Sequence, residues 1–84
     1  MTHKVIGVLV TDRVKEAGAV QDTLTKHGCI IRTRLGLHQA GNHCSPDGLL
    51  LLELAGDINE WVELEEDLKT IEGIQVQSMS FNQP

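Results

Sequence analysis

The stretch CIIRTRLGLHQAGNHCSPDGLLLLELAG, residues 29–56, decides the fold because it joins two different kinds of strand. Residues 30–38 alternate between apolar and polar, which is typical of an edge strand with one solvated or partner-facing side. Residues 49–54 are apolar on both faces, as in a central strand. The segment 45–48, Ser-Pro-Asp-Gly, predicts a turn between them. The alternation places Ile31, Thr33, Leu35 and Leu37 on one face and Ile30, Arg32, Arg34, Gly36 and His38 on the other.

The residues before this stretch predict a strand and a helix. KVIGVLV, residues 4–10, is apolar without alternation and indicates a second central strand. Thr11 and Asp12 break the run and can cap a helix. Apolar residues three or four apart predict that this helix extends from Arg13 to His27, and Gly28 is placed to end it.

The residues after it repeat the same order. Asp57 and Glu60 have the spacing of a capping box at the start of a helix. The helix has an apolar stripe and an acidic, solvated opposite face. Gly73 ends it, and residues 74–81 alternate as a final strand. The apolar stripe consists of Trp61, Leu64, Leu68 and Ile71.

The order of elements predicts an α+β protein of the ferredoxin-like βαββαβ type, with a four-stranded antiparallel sheet and both helices on one face. A chain of 84 residues supports one core, so residues 1–84 are predicted to form a single domain. The first and third strands are central. Their Ile, Val and Leu side chains on the face without helices need a cover, which predicts a homodimer or homotetramer.

The net charge and the distribution of apolar residues exclude several classes of function. The net charge of −5 provides no basic surface, so we expect no direct nucleic-acid partner and no membrane partner. No apolar run approaches the roughly 20 residues of a membrane span, and the start does not resemble a secretory signal, so we expect a cytoplasmic protein. The two cysteines are expected to be thiols, with Cys29 as a small core residue.

The loop between the second and third strands contains the candidate metal ligands His38, His43 and Cys44. Two imidazoles and a thiolate suit a transition metal such as Ni²⁺ or Zn²⁺, with a fourth ligand from elsewhere. The alternatives are a polar loop with a partly buried cysteine, and a redox-sensing thiol at Cys44.

Other polar residues are candidates for ligand binding. Arg32 and Arg34 can receive a carboxylate, or they can be solvated or paired at an interface. Thr11 and Asp12 are a helix cap or part of an effector site. No nucleophile–base pair, phosphate-binding glycine motif or carboxylate pair is visible, so we expect no enzyme.

The segments VIGVLVTDR, CIIRTRLGLH and IEGIQVQSMSF, with Gly56-Asp57 after the third strand, together resemble the small stand-alone regulators of iron-only hydrogenase systems. The resemblance covers nearly the whole chain. That family is similar to ACT domains, which bind amino acids at oligomer interfaces and place the turn after the first strand at the site. It is also similar to the metal-binding half of nickel-responsive regulators.

The likeness to nickel-responsive regulators implies a ligand set. Their His-x-His pair and following Cys correspond here to Gly36, His38 and Cys44, and His43 can take the place of the first histidine. The expected function is a non-catalytic regulatory or sensory module that binds an effector or metal at an oligomer interface and acts on a partner protein. The alternative is a purely structural protein–protein interaction module without a ligand.

Overall fold

The computed structural model describes residues 2–11, 13–37 and 48–82. The loop 38–47 and Asp12 therefore lie outside the described residues. Two helices and four strands follow each other in the predicted order, with a short 3₁₀ turn, Gly28–Ile30, after the first helix. The elements are β1 (Thr2–Val10), α1 (Arg13–Lys26), β2 (Ile31–Leu37), β3 (Gly48–Leu54), α2 (Ile58–Lys69) and β4 (Ile74–Asn82).

The four strands form one antiparallel sheet in the order β2-β3-β1-β4. The strands predicted to be central, β1 and β3, are paired along residues 4–10 and 48–54. The ferredoxin-like prediction is confirmed, with β2 and β4 at the edges. In the described residues, no helix is long and apolar enough to cross a membrane.

One face of the sheet packs against both helices and forms the core. Alternate residues of β1 and β3 point to this side because side chains alternate along a strand. The helices contribute Val20 and Leu24 from α1, and Trp61, Leu64 and Leu68 from α2. Aliphatic side chains therefore provide nearly all of the core. The buried strand residues are Ile6, Val8, Val10, Leu52 and Leu54.

The opposite face, which we call the open face, has no helix among the described residues. Residues that pair directly across two strands lie on the same face of the sheet. The pairs Val5–Met79, Gly7–Leu51 and Leu35–Leu51 therefore show which residues belong to the open face. Leu35, Leu49, Met79 and Phe81 are 50%, 36%, 55% and 54% exposed. The structure thus shows the uncovered apolar face that the sequence predicted.

An irregularity at Arg32 corrects the predicted faces of β2. Ile31 pairs with Leu54 but Thr33 pairs with the adjacent Glu53, so Arg32 is an extra residue without a partner on β3. Such a bulge interrupts the alternation of side chains. Ile31 therefore lies on the helix side against the core, whereas Thr33 and Leu35 lie on the open face. The prediction that all three share one face is wrong.

The end of α1 also differs from the prediction. Gly28 does not have the positive φ of a glycine helix stop, since Gly56 and Gly73 are the glycines with positive φ in the described residues. The chain instead enters the 3₁₀ turn, and Cys29 in that turn is exposed. The prediction of a core cysteine is wrong, because the turn presents Ile30 to the core in its place.

The predicted cap of α2 at Asp57 is confirmed, but among the described residues the Glu60 side chain does not bond back to Asp57 as a capping box requires. Asp57 is the N-cap, and its carboxylate accepts a hydrogen bond from the Asn59 N–H at 2.9 Å. This bond satisfies one of the free amides of the first turn. Trp61, one turn further on, is buried and donates its indole N–H to the Ala55 carbonyl oxygen at 2.8 Å. Cap and indole together attach α2 to the end of β3.

Candidate functional site

Four of the predicted site residues, Asp12, His38, His43 and Cys44, lie outside the described residues. The metal-site hypothesis therefore stays a prediction. Within residues 2–11, 13–37 and 48–82, no three His, Cys, Asp or Glu side chains form a group that could hold a metal ion.

Thr11 belongs to a hydrogen-bonded corner that the sequence did not reveal. Its N–H donates to Glu16 Oε1 at 3.1 Å, and its hydroxyl donates to the carbonyl oxygen of Gly73. Glu16 is buried. Gly73 has a φ of +89°, and a Cβ on it would overlap the Glu16 carboxylate. Thr11 thus connects the turn after β1 to the turn before β4. Its N–H and its hydroxyl both donate hydrogen bonds to groups of the protein itself.

Arg34 lies beside a groove between α1 and the sheet. The groove is lined by Gly18 and Gln21 of α1, by Val10 and Leu50 of the central strands, and by Arg34 itself. A Cβ added to Gly18 would have no neighbouring atom within 4 Å, so this glycine makes no close contact with the sheet. Apart from the Gln21 amide and the Arg34 guanidinium the lining is apolar, which suits a small ligand that carries a carboxylate.

Arg32 belongs to a different cleft, at the opposite end of β2. The bulge directs the chain so that Arg32 lines this cleft with Thr2 and His3, while Arg34 lines the groove beside α1. The two arginines, which alternation placed on one polar face, therefore do not form one site. Neither has a carboxylate partner at ion-pair distance among the described residues.

Two ion-pair clusters connect α2 to the rest of the protein. Lys4 Nζ lies 2.8 Å from Glu65 Oε1, and Lys69 Nζ lies 3.4 Å from Glu65 Oε2. The hydrogen bond from Lys4 is the main cause that lowers the pKa of Glu65. His27 Nε2 is 2.6 Å from Asp67 Oδ2, and this hydrogen bond is the main cause that lowers the pKa of Asp67. Both clusters join elements of the helix side.

The open face contains a shallow depression at Gly7. Its walls are Leu9, Leu49, Gln75 and Gln77. A Cβ on Gly7 would lie 3.8 Å from Leu51 Cδ2, which is an ordinary contact. Sequence reasoning identified the apolar side chains of the central strands but not the contribution of Met79 and Phe81. Their alternation was visible in the sequence, but the pairing that places them beside Val5 and His3 was not.

Comparisons with known proteins support the fold. No family model and no curated protein matches the chain. An uncharacterized protein, TM1266 from Thermotoga maritima, has a TM-score of 0.82 at 20% identity, over 98% of this chain and 100% of that chain. The designed protein Foldit4 has a TM-score of 0.58 at 10% identity, over 99% and 98% of the two chains.

A further solved structure is CPII, a nitrogen regulatory PII-like protein from Thiomonas intermedia K12, bound to ADP, AMP and bicarbonate. Its TM-score is 0.53 at 12% identity, over 100% of this chain and 97% of that chain. At these identities the similarity shows a shared fold. The chain is thus structurally similar to uncharacterized and PII-like proteins of ferredoxin-like architecture.

Proposed function

We propose that this protein is a non-catalytic regulatory module that self-associates through the open face and binds a small effector or a transition metal at one end of the sheet. The observation that carries the proposal is the apolar open face, which extends across all four strands. The resemblance to regulators of iron-only hydrogenase systems supports a role in such a system. The ferredoxin-like fold, which a PII-like regulatory protein shares, is compatible with it.

A second copy of the chain is the occupant that the charge distribution favours. The chain has 12 acidic residues and a net charge of −5, so two copies repel each other in general. Among the described open-face positions, Glu53 is the one acid, and it accepts a hydrogen bond from the Thr33 hydroxyl at 2.9 Å. The other acids of this half of the chain lie mainly on α2, on the far side of the sheet. The open faces of two copies can therefore meet with little like-charge repulsion.

The effector would use the groove beside α1. Arg34 supplies the charge for a carboxylate, and the groove lies at the same end of the sheet as the turn after β1 and the start of β3. The loop residues His38, His43 and Cys44 would provide the metal ligands, with Ni²⁺ or Zn²⁺ as the metal. Effector and metal would then act at one end of the module.

The oligomer is tested by light scattering on two matched variants. Leu35→Asp places a charge on the open face, and Val62→Asp places the same charge on α2, at a position 49% exposed. We expect wild type and Val62→Asp to be oligomers at micromolar concentration and Leu35→Asp to be a monomer, since an interface cannot easily bury an unpaired carboxylate. A monomeric wild type would contradict the proposal.

Ligand binding separates this proposal from its alternative, a structural interaction module without a ligand. Thermal shift against Ni²⁺, Zn²⁺ and amino acids should show a stabilisation of about 2.7 kcal/mol at 100 times the Kd of a true ligand. The double substitution His38→Ala, Cys44→Ala should abolish a metal response. The absence of any response, with no metal in the purified protein, would favour the structural module.

A further inference from the structure

The cleft that contains Arg32 lies at the end of the sheet where β3 stops. Its lining comes from the start of β1, from the bulge in β2 and from the first turn of α2. The volume of about 450 Å³ is within the range of small-molecule sites, which is about 300 to 1,000 Å³. The lining residues are Thr2, His3, Arg32, Leu54, Ala55, Gly56, Ile58 and Trp61.

The backbone explains why a cleft exists at this place. The pairing of β1 with β3 ends at Lys4–Leu54, whereas β1 and β4 remain paired as far as Thr2–Asn82. Thr2 and His3 therefore extend beyond β3, and β2 begins on the other side of the gap. The chain leaves β3 through Gly56, whose φ is +81°, and turns into α2 below the gap. The cleft is thus a consequence of unequal strand lengths and a sharp turn.

The positive charge of the cleft comes from Arg32, the extra residue of the bulge. Arg32 is the residue without a β3 partner, so its direction is not set by the regular alternation of β2. Bulges commonly redirect a side chain at the rim of a sheet. Arg32 is exposed and has no ion-pair partner in the described part of the chain, so its five N–H donors are free to bind an anion.

The other lining groups define the class of ligand. His3 pairs with Phe81 and so directs its side chain to the open face, and the Thr2 hydroxyl already donates to Asn82 Oδ1 at 3.1 Å, which leaves Arg32 as the group for the anion. Ile58, which is half exposed, and Leu54 and Trp61 form an apolar floor. A ligand with one anionic end and a short hydrocarbon body matches both parts.

The cleft also discriminates against a ligand that carries an ammonium group. None of its lining residues is acidic. Three acids adjoin lining residues in sequence without lining the cleft: Glu53, which accepts from the Thr33 hydroxyl at 2.9 Å, Asp57, which accepts from the Asn59 N–H, and Glu60. An ammonium group in this cleft would lose water without gaining a carboxylate partner, which costs free energy. A simple carboxylate avoids that cost.

We propose that this cleft binds a small monocarboxylate with an apolar body, held by Arg32 at its anionic end. The site goes beyond the proposed function, because it lies at the opposite end of the sheet from the Arg34 groove and requires no second copy.

Trp61 provides the measurement, since it lines the cleft and is the one tryptophan of the chain. Isocaproate, titrated into the full chain and followed by Trp61 fluorescence, should saturate with a Kd of about 1 mM or lower. Leucine, which adds an ammonium group, and isocaproamide, which lacks the charge, should each bind at least about tenfold more weakly. Equal binding of either compound, or equal binding of inorganic phosphate, would overturn the ligand class.

Two charge variants locate the site. Arg32→Gln should weaken isocaproate binding at least about tenfold, while the control Lys69→Gln, at an exposed cation in the last turn of α2 outside the cleft lining, should leave the Kd unchanged. Ile58→Ser, at an exposed position of the floor, should also weaken binding. An unchanged Kd in Arg32→Gln, or the same loss in Arg32→Gln and Lys69→Gln, would overturn the assignment.

The test is independent of the oligomer. In the Leu35→Asp variant isocaproate should bind with the wild-type Kd, whether or not that variant is monomeric. A loss of binding that accompanies dissociation would show that the site belongs to the interface and would overturn the proposal of an autonomous cleft.

Discussion

The two faces of the sheet contain the same kinds of side chain in opposite situations. On the helix side, Ile6, Val8 and Leu52 are completely buried, and the neighbouring Lys4 is paired with Glu65. On the open face, residues of comparable size such as Leu35 and Phe81 remain half exposed. A β-strand that alternates between these faces contributes one set of residues to the core and leaves the other set exposed. The helix side determines the stability of the chain, and the open face is available for binding.

The largest expected effect comes from a cavity on the helix side. Leu52→Ala should lower the free energy of unfolding by about 2 to 5 kcal/mol, because it removes a completely buried side chain from a close-packed core. Urea denaturation followed by circular dichroism measures the loss.

Leu49→Ala is the matched control on the same strand and the opposite face. In the monomer it should cost much less, since Leu49 is partly exposed already. If the open face is an interface, the cost of Leu49→Ala should increase with protein concentration, while that of Leu52→Ala should not. If both variants lost the same free energy of unfolding at every protein concentration, the two faces would not differ in their contribution to folding and association.

A smaller effect is expected at the corner of the helix side. Gly73→Ala should cost about 1 to 3 kcal/mol, since alanine is strained at a φ of +89° and its Cβ displaces the Glu16 carboxylate. Gly18→Ala, in α1 with open space around its Cβ position, should instead stabilise the protein by about 0.5 to 1 kcal/mol. Thermal unfolding of the two variants measures both. A neutral Gly73→Ala would show that the corner does not constrain the fold.

The smallest effect concerns the charged pair on the helix side. The Lys4 hydrogen bond lowers the pKa of Glu65 below its usual 4.5, so the pair stabilises the folded state above that pH and loses this contribution as the pH falls. Lys4→Met should therefore cost about 1 kcal/mol or less near neutral pH, and the difference from wild type should shrink in acid. Urea titrations at about pH 7 and about pH 3 test this.

Lys69→Met is the control for that pair. Lys69 contacts the same carboxylate at 3.4 Å, but its side chain is 58% exposed, so its loss should matter less than that of Lys4. A difference between wild type and Lys4→Met that stays constant with pH would show that Lys4 acts through packing alone.

Sequence reasoning succeeded where a signal is local. The Asp57 cap and the buried stripe of Trp61, Leu64 and Leu68 depend on residues within one or two turns, and both were predicted correctly. The predicted end of the helix at Gly73 was wrong, since α2 ends at Lys69. Sequence reasoning also failed at Cys29 and Gly28, because a 3₁₀ turn leaves no clear periodicity. The candidate site was only partly predictable. The arginines were identified as anion ligands from their chemistry, but their separation into two places depends on a bulge that the alternating pattern conceals.

The sequence by itself determined the order of the elements, the central positions of β1 and β3, and the presence of an apolar face without helices. These follow from hydrophobic periodicity, which acts along the chain. The tertiary structure decided that Arg32 and Arg34 lie at different sites, that Thr11 bonds to Glu16 and Gly73, and that a cleft opens beside Trp61. Each of these depends on how one strand or turn meets another that is distant in sequence, and no local pattern records that register.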